Sequence, residues 1–287
     1  VLGVIGHKTN NINNYFINEA IKLGYDVFQP TDINSNKFLN IIRDLEPDII
    51  VLAGYGQIVK NDFISIAKYG CINLHGGKLP KYRGSSPMNW ALINNESFFT
   101  LTIIKIDNGI DTGDILIEQT FPINKDHTIV QLHEIANNNF PQLLIKVLDQ
   151  IDNDIVEAKI QNNDESSYYP LRLPEDGIIF FDQLKAIEIH NRVRALTSPY
   201  PGVVTYYKNK KIKILKSCLT NRPFHGESGR IYVISKNKGL LVCAKDKCIW
   251  LNKVVDYKTE RECSKDFLRY TKFATIREAA ENFYANQ

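Results

Sequence analysis

The chain has 287 residues, 44% hydrophobic and 23% charged, which is the balance of a globular protein with room for two domains. Its 35 basic against 32 acidic side chains give a net charge of +3, too even to call for a polyanionic partner, and this argues against nucleic acid. Five scattered cysteines without a CxxC pair argue against a disulfide framework or a thiolate zinc site, and no signal peptide or apolar run of about 18 residues is read, so a cytoplasmic protein with reduced thiols and no membrane contact is expected.

In chain order, Val1 to Gly6 is a buried-type apolar run, and a polar loop leads to Ile12–Leu23, where apolar residues recur at helical spacing until Gly24. Tyr25–Gln29 reads as a strand, Lys37–Leu45 as a helix ended by Pro47, and Ile49–Ala53 as a uniformly apolar strand. Strands alternating with helices predict right-handed crossovers and a mainly parallel, Rossmann-like sheet in an α/β domain. Gly54, Tyr55, Gly56, Gln57, Ile58 and Val59 follow at a strand's carboxyl end, where open α/β sheets bind ligands.

Cys71–His75 and Leu101–Ile106 read as further strands, Ile115–Phe121 as another, and Thr128–Ile151 as a long helix with a break or kink at Pro141. A polar stretch from Asn162 marks a linker, followed by an amphipathic helix over Gln183–Leu196. From Gly202 the pattern changes to five short strands, over 203–207, 211–217, 230–235, 239–244 and 248–254, which suggest a small barrel of the oligonucleotide/oligosaccharide-binding (OB) type. The expected division is a catalytic domain over 1–161, a linker over 162–182, a connecting helix and OB-like barrel over 183–257, and a helical tail over 258–287.

The segment from Gly70 to Gly113 carries the chemistry. Strand alternation puts Cys71, Asn73 and His75 on one face, and Gly76-Gly77 turns the chain into an irregular loop holding Lys78, Lys81, Tyr82 and Arg83. Farther on, Asp107, Asp111 and Asp114 lie in a turn-rich segment whose spacing does not match a calcium loop. If the two strands run toward one edge of a sheet, Asp111 reaches His75. An Asn amide suits a developing oxyanion, an imidazole moves protons near neutral pH, and a carboxylate orients the imidazole, so the set matches acyl transfer. No GxSxG elbow is present and nothing marks Cys71 as activated, which favours direct attack by an acceptor amine. Taken singly, each residue has a plain alternative: a strand-end histidine, a turn-stabilising carboxylate, a solvated basic loop. Lys208, Lys210, Lys211 and Lys213 read as a solvated hairpin tip, and His127 and His133, six apart on a predicted helix, as no metal site.

Together these residues resemble the folate-dependent formyltransferases. The resemblance is carried by Asn73-x-His75, by Leu79-Pro80-Lys81-Tyr82-Arg83-Gly84, by Asp107-x-Gly109-x-Asp111-Thr112-Gly113-Asp114, and by Arg194-Ala-Leu-Thr-Ser-Pro-Tyr-Pro-Gly202 at the junction to the barrel. It implies a Rossmann-like domain and 10-formyltetrahydrofolate as cosubstrate, with no metal. Asn73, His75 and Asp111 would be catalytic. Gly54 to Val59 and Asp107 would meet the folate, and Gly77, Lys78, Lys81, Tyr82 and Arg83 the acceptor. Methionyl-tRNA formyltransferases carry a basic insertion where this chain has His7-Lys8-Thr9-Asn10-Asn11, so the favoured acceptor is a nucleotide-linked amino deoxysugar, dTDP- or UDP-linked and amino at carbon four, destined for surface polysaccharide. Methionyl-tRNA formylation, formyltetrahydrofolate hydrolysis and a silent nucleotide-sugar-binding module are the alternatives, and a homodimer is compatible with any of them. Two departures stand out: Gly77-Lys78 replaces the relatives' Ser-Leu, and relatives place one more strand and helix before Val1–Gly6, so an incomplete amino terminus is expected.

Overall fold

The computed structural model describes residues 1–7, 15–208 and 210–284. Strand β1 (Val4–Ile5) pairs in parallel with β2 (Val27–Phe28), and helix α1 (Tyr15–Lys22) lies between them in sequence. The predicted start of this helix at Ile12 and the loop residues Lys8 to Asn11 lie outside the described residues, as does Asn209. Of the apolar run 1–6, only the two residues of β1 are strand, and Val1 and Leu2 are exposed.

Helix α2 (Asn36–Asp44), strand β3 (Ile50–Leu52), the single-turn α3 (Asn61–Ile64) and strand β4 (Cys71–His75) follow, with β3 and β4 parallel. Phe38, Leu39, Ile42, Phe63 and Cys71 are buried together with Ile33, because the apolar residues of α2 recur at helical spacing toward one side. After β5 (Arg83–Gly84) and α4 (Pro87–Ile93), strand β6 (Phe98–Lys105) joins the sheet on the other side of β4, antiparallel to it, with β7 (Ile115–Pro122) beyond in the order β3-β4-β6-β7. The mainly parallel expectation therefore holds for β1-β2 and β3-β4, while β4 and β6 do not run toward one edge.

Helix α5 (Ile129–Asp152) continues through Pro141 without the predicted break. Ile129, Leu132, Ala136, Leu143 and Val147 form one buried stripe before and after the proline, and burial on both sides outweighs one missing main-chain hydrogen bond. The stretch read as a structureless linker begins with a 3-10 turn at Asn163–Glu165, and strand β8 (Tyr168–Tyr169) pairs with β5. The chain divides into two compact units: one of residues 1–84, 100–120 and 138–168, the other of 85–99, 121–137 and 169–287.

In the second unit, helix α6 (Ala186–Leu196) precedes β9 (Val203–Tyr207), β10 (Lys210–Leu219), β11 (Ile231–Ser235), β12 (Gly239–Cys243) and β13 (Cys248–Asp256). These five strands form one antiparallel sheet in the order β11-β12-β13-β10-β9. Among the described residues the tail is α-helical only in α7 (Ile276–Tyr284), after a 3-10 turn at Ser264–Asp266. The intervening residues are not helical: Tyr270 N donates to Ile231 O, Ile231 N to Thr271 O, and Ala274 N to Tyr206 O. One short segment thus bonds to both edge strands, satisfying edge groups that would otherwise be open to another chain. It is held by Phe267 and Phe273, which are buried and in ring contact with Tyr207 at 4.6 and 5.7 Å between centroids.

Candidate active site

The site is built on the carboxyl end of β4. Neighbouring strands hold its backbone on both sides, Leu52 opposite Asn73 in β3 and Thr102 opposite His75 in β6. Asn73 and His75, two residues apart, project to the same face. The strand then turns at Gly76-Gly77, and Thr102 Oγ1 donates to the Gly77 carbonyl at 2.8 Å, tying the following loop to β6.

Asp111 reaches this face by a route the sequence did not suggest. Because β6 runs antiparallel to β4, its end lies beside the start of β4, where Ile106 N donates to Cys71 O at 2.8 Å. Residues 107 to 113 then arch back before Lys105 N donates to Asp114 O at 2.9 Å and β7 begins. Gly113 permits this close passage, since a Cβ there would stand 1.8 Å from the Lys105 carbonyl oxygen. Asp111 sits in the arch at φ 53°, a left-handed conformation that costs a non-glycine residue about 1–3 kcal/mol and concentrates at functional sites.

Three polar groups surround the Asp111 carboxylate. Asn73 Nδ2 reaches Oδ1 at 3.3 Å, Gly84 N donates to Oδ2 at 2.8 Å, and His75 Nδ1 lies 3.5 Å from Oδ2. The imidazole is 5% exposed, and its Nε2 stands 2.6 Å from the Tyr82 carbonyl. A carbonyl only accepts, so Nε2 carries a proton and donates it there, leaving Nδ1 directed at the carboxylate. Amide, imidazole and carboxylate thus share one cluster with their orientations fixed. Cys71 belongs to the same strand face by alternation, but burial pushes its thiol up to about 12, so it stays a packed thiol rather than a nucleophile.

The segment expected to meet folate is anchored from outside itself. Gln57 Oε1 accepts from Ile33 N at 3.0 Å and its Nε2 donates to Thr31 O, while Asn34 Nδ2 donates to Ile58 O. Tyr55 stacks on His7 with centroids 4.4 Å apart, and Gly56 N donates to His7 Nε2 at 3.0 Å. The Tyr55 hydroxyl is buried without a partner, and burial, then the Asp32 carboxylate, raises its pKa. Gly54 takes φ 68° with open space where a Cβ would point, and Ile58 is exposed. An open recess of about 340 Å³ is lined by Ile58, Val59, Lys60, Asn61, Asp62 and Asn108. Asp107 Oδ1 accepts from Gly109 N and Thr112 Oγ1, so that oxygen is occupied in shaping the arch.

Of the loop expected to meet the acceptor, Lys78 and Lys81 are exposed, whereas Gly77 and Tyr82 are buried. Arg83 departs most from expectation: it is 1% exposed and its guanidinium is bonded to Gln161, Asn163 and Tyr168, so it is withdrawn from ligand contact. Gln161, which sequence reasoning passed over, links Arg83 to the arch. Its only signal is its place directly before the polar tract from Asn162 read as a linker. No group of three or more metal-ligating side chains occurs among the described residues.

Residues 4–148 match the family described as formyl transferase, and residues 173–271 match the formyl transferase C-terminal domain. A methionyl-tRNA formyltransferase of Acetivibrio thermocellus is 34% identical over 231 residues, which are 80% of this chain and 74% of that protein. Among solved structures, an N-formyltransferase from Helicobacter canadensis in complex with folinic acid and dTDP-3-aminofucose superposes with a TM-score of 0.66 at 27% identity, covering 84% of this chain and 87% of that one. The sugar 3N-formyl transferase WlaRD, solved with dTDP and 5-N-formyl-THF, shares the fold with a TM-score of 0.66 at 24% identity, covering 87% of this chain and 86% of that one.

Proposed function

Since the chain belongs to the formyl transferase family, we propose that it moves a formyl group from 10-formyltetrahydrofolate to the primary amine of a nucleotide-linked amino deoxysugar. The observation that carries this reading is the convergence of Asn73, His75 and Asp111 at one strand end. The amine lone pair attacks the formyl carbon, and negative charge gathers on the carbonyl oxygen. Asn73 has a second Nδ2–H beyond the one given to Asp111, and this donor stabilises that oxygen, while His75 holds the carboxylate of Asp111 in place. Asp111 accepts the proton the amine sheds. As the bond from the formyl carbon to N10 breaks, its electron pair stays on N10, which takes up the proton Asp111 accepted, leaving a formamide and tetrahydrofolate with the carboxylate restored. Folate would lie against the recess beside Ile58 and Val59, with Gly54 allowing close approach. Lys78 and Lys81 are placed to meet the acceptor's phosphates.

Support for a sugar acceptor comes from the near-balanced charge, from the single lysine between His7 and Asn11, and from the likeness to a relative solved with dTDP-3-aminofucose. A second reading, formylation of methionyl-tRNA, is favoured by the 34% identity to an enzyme of that name. The test measures tetrahydrofolate release with dTDP- and UDP-linked sugars bearing amines at carbon three or four, with initiator methionyl-tRNA, and without acceptor. Turnover on a nucleotide sugar is expected. Turnover on the tRNA alone, with binding that weakens steeply as salt rises, would replace this reading with the second. Equal release with no acceptor would make the protein a hydrolase.

A further inference from the structure

Behind the arch that bears Asp111 lies a buried cation with no anionic partner. Arg83 Nε donates to Gln161 Oε1 at 3.1 Å and Nη2 to the same oxygen at 2.9 Å. Nη2 also reaches Asn163 Oδ1 at 2.8 Å, and Nη1 reaches the Tyr168 hydroxyl at 2.8 Å. No carboxylate forms an ion pair with it among the described residues. A guanidinium removed from water and given only neutral acceptors is expensive to keep, and a hydrophobic replacement would be cheaper if packing were its sole task.

The hydrogen bonds continue through Gln161 to the site. Its Nε2 donates to the Asp111 carbonyl at 2.9 Å and to the Gly113 carbonyl at 2.6 Å. An amide whose oxygen is polarised by a cation becomes a stronger donor at its nitrogen. These carbonyls flank Thr112 in the segment where Asp111 adopts its left-handed backbone, so the strained turn is gripped on both sides. The residue after Arg83 supplies the other hold, Gly84 N on Asp111 Oδ2. Main chain and carboxylate of one aspartate are thus referred to Arg83-Gly84 and Gln161.

We infer that Arg83 and Gln161 form a positioning relay that fixes the backbone of Asp111 and so aims its carboxylate at His75 Nδ1 and at the acceptor amine. Neither touches reacting atoms; both act through Asp111, and the catalytic consequence rests on the formyl transfer proposed above. Gln161→Glu separates this role from simple stability, because it keeps an acceptor for Arg83, now anionic, while removing both donors to the arch. Expected is a fall in kcat of about 10- to 100-fold, as for a misaligned catalytic group, with KM for folate and amine within about two-fold and a melting transition that still lies well above the assay temperature. Gln161→Met, similar in volume and without donors, decides the matter if the first variant does not fold.

A kcat within about two-fold of the unaltered chain in either folded variant overturns the relay. So does a loss that appears as raised KM or that is accounted for by the fraction unfolded at the assay temperature, and so does failure of both variants to fold. An independent readout is the ¹⁵N spectrum of the His75 ring, whose resonances are expected to shift in Gln161→Glu as Asp111 moves off Nδ1. Unchanged resonances overturn the relay whatever the substrate. A shifted spectrum in a protein that transfers no formyl group would support the relay and overturn the functional reading instead.

Discussion

Two regions of this molecule spend burial in opposite ways. In the carboxy-terminal sheet, Leu240, Leu241, Val242, Ile249, Leu251, Val254 and Val255 are buried across β12 and β13, and cross-strand packing of apolar side chains supplies the stability. Around β4, His75 and Arg83 are buried and Asp111 nearly so, and a cluster of directed hydrogen bonds orders them. Apolar packing tolerates approximate shape and is non-directional, whereas a buried polar cluster works only when every member has its partner. The first region should therefore fail in stability, the second in chemistry.

The largest expected effect is chemical. His75→Ala and Asp111→Asn should each lower kcat/KM for formyl transfer by about 10²- to 10⁴-fold, the range for removing a positioned acid or base, while the far-ultraviolet spectrum stays that of the unaltered protein. Turnover retained within ten-fold in either variant would detach the cluster from catalysis. The converse test is Leu251→Ala, at a fully buried position in the central strand β13. It should cost about 2–5 kcal/mol in denaturant unfolding, from lost transfer energy plus the cavity left behind, with kcat unchanged under folding conditions.

How much of this was legible in the sequence follows the same division. The boundaries of β4 and of all five strands in the carboxy-terminal sheet were readable to within two residues, because side-chain alternation and turn residues are local signals. The pairing of His75 with Asp111 was readable from motifs but not the path that makes it. Strand direction is set by tertiary packing, and β6 turned out antiparallel to β4. Arg83 looked like a ligand contact because a basic residue in a glycine-rich loop reads as exposed, and burial cannot be read from residue type. Gln161 lay at the border of a polar tract without periodicity, next to Asn162 and Asn163, where one amide looks like its neighbours. The tail was read as helix although Phe267 and Phe273, six apart, do not share a helical face, and that spacing was the signal for an extended segment.

A smaller effect separates the regions by pH. Burial lowers the pKa of His190, opposing the hydrogen bond its ring gives to the Lys125 carbonyl, and burial likewise lowers that of His133. His190 Nδ1 also lies 3.0 Å from Ser217 Oγ of β10. Both rings are kept neutral in the fold, while in the unfolded chain they take up protons below about pH 6.5. The unfolded state then binds more protons, so stability is present above that pH and declines as pH falls from there toward the depressed folded values. His190→Gln should flatten this decline in urea melts between pH 7 and 5. A melt series that declines equally in the variant would assign the loss to other groups.

The smallest expected effect concerns the cysteines and sharpens the comparison without altering the fold. Cys218 is exposed on β10, whereas Cys71 is buried on the strand that bears Asn73 and His75, with its thiol pushed up to about 12, and Cys248 is pushed up to about 12 as well. At pH 8 a thiol of that pKa is ionised to roughly one part in 10⁴, and the thiolate is the species that reacts. Mass spectrometry after brief treatment with iodoacetamide should find Cys218 alkylated first and Cys71 unmodified until the protein unfolds, with formyl transfer unchanged by the single modification. Early labelling of Cys71, or activity lost in step with labelling of Cys218, would show that the two regions are not divided as the geometry divides them: the first would place an open thiol at β4, the second a functional surface on a sheet assigned here to packing alone.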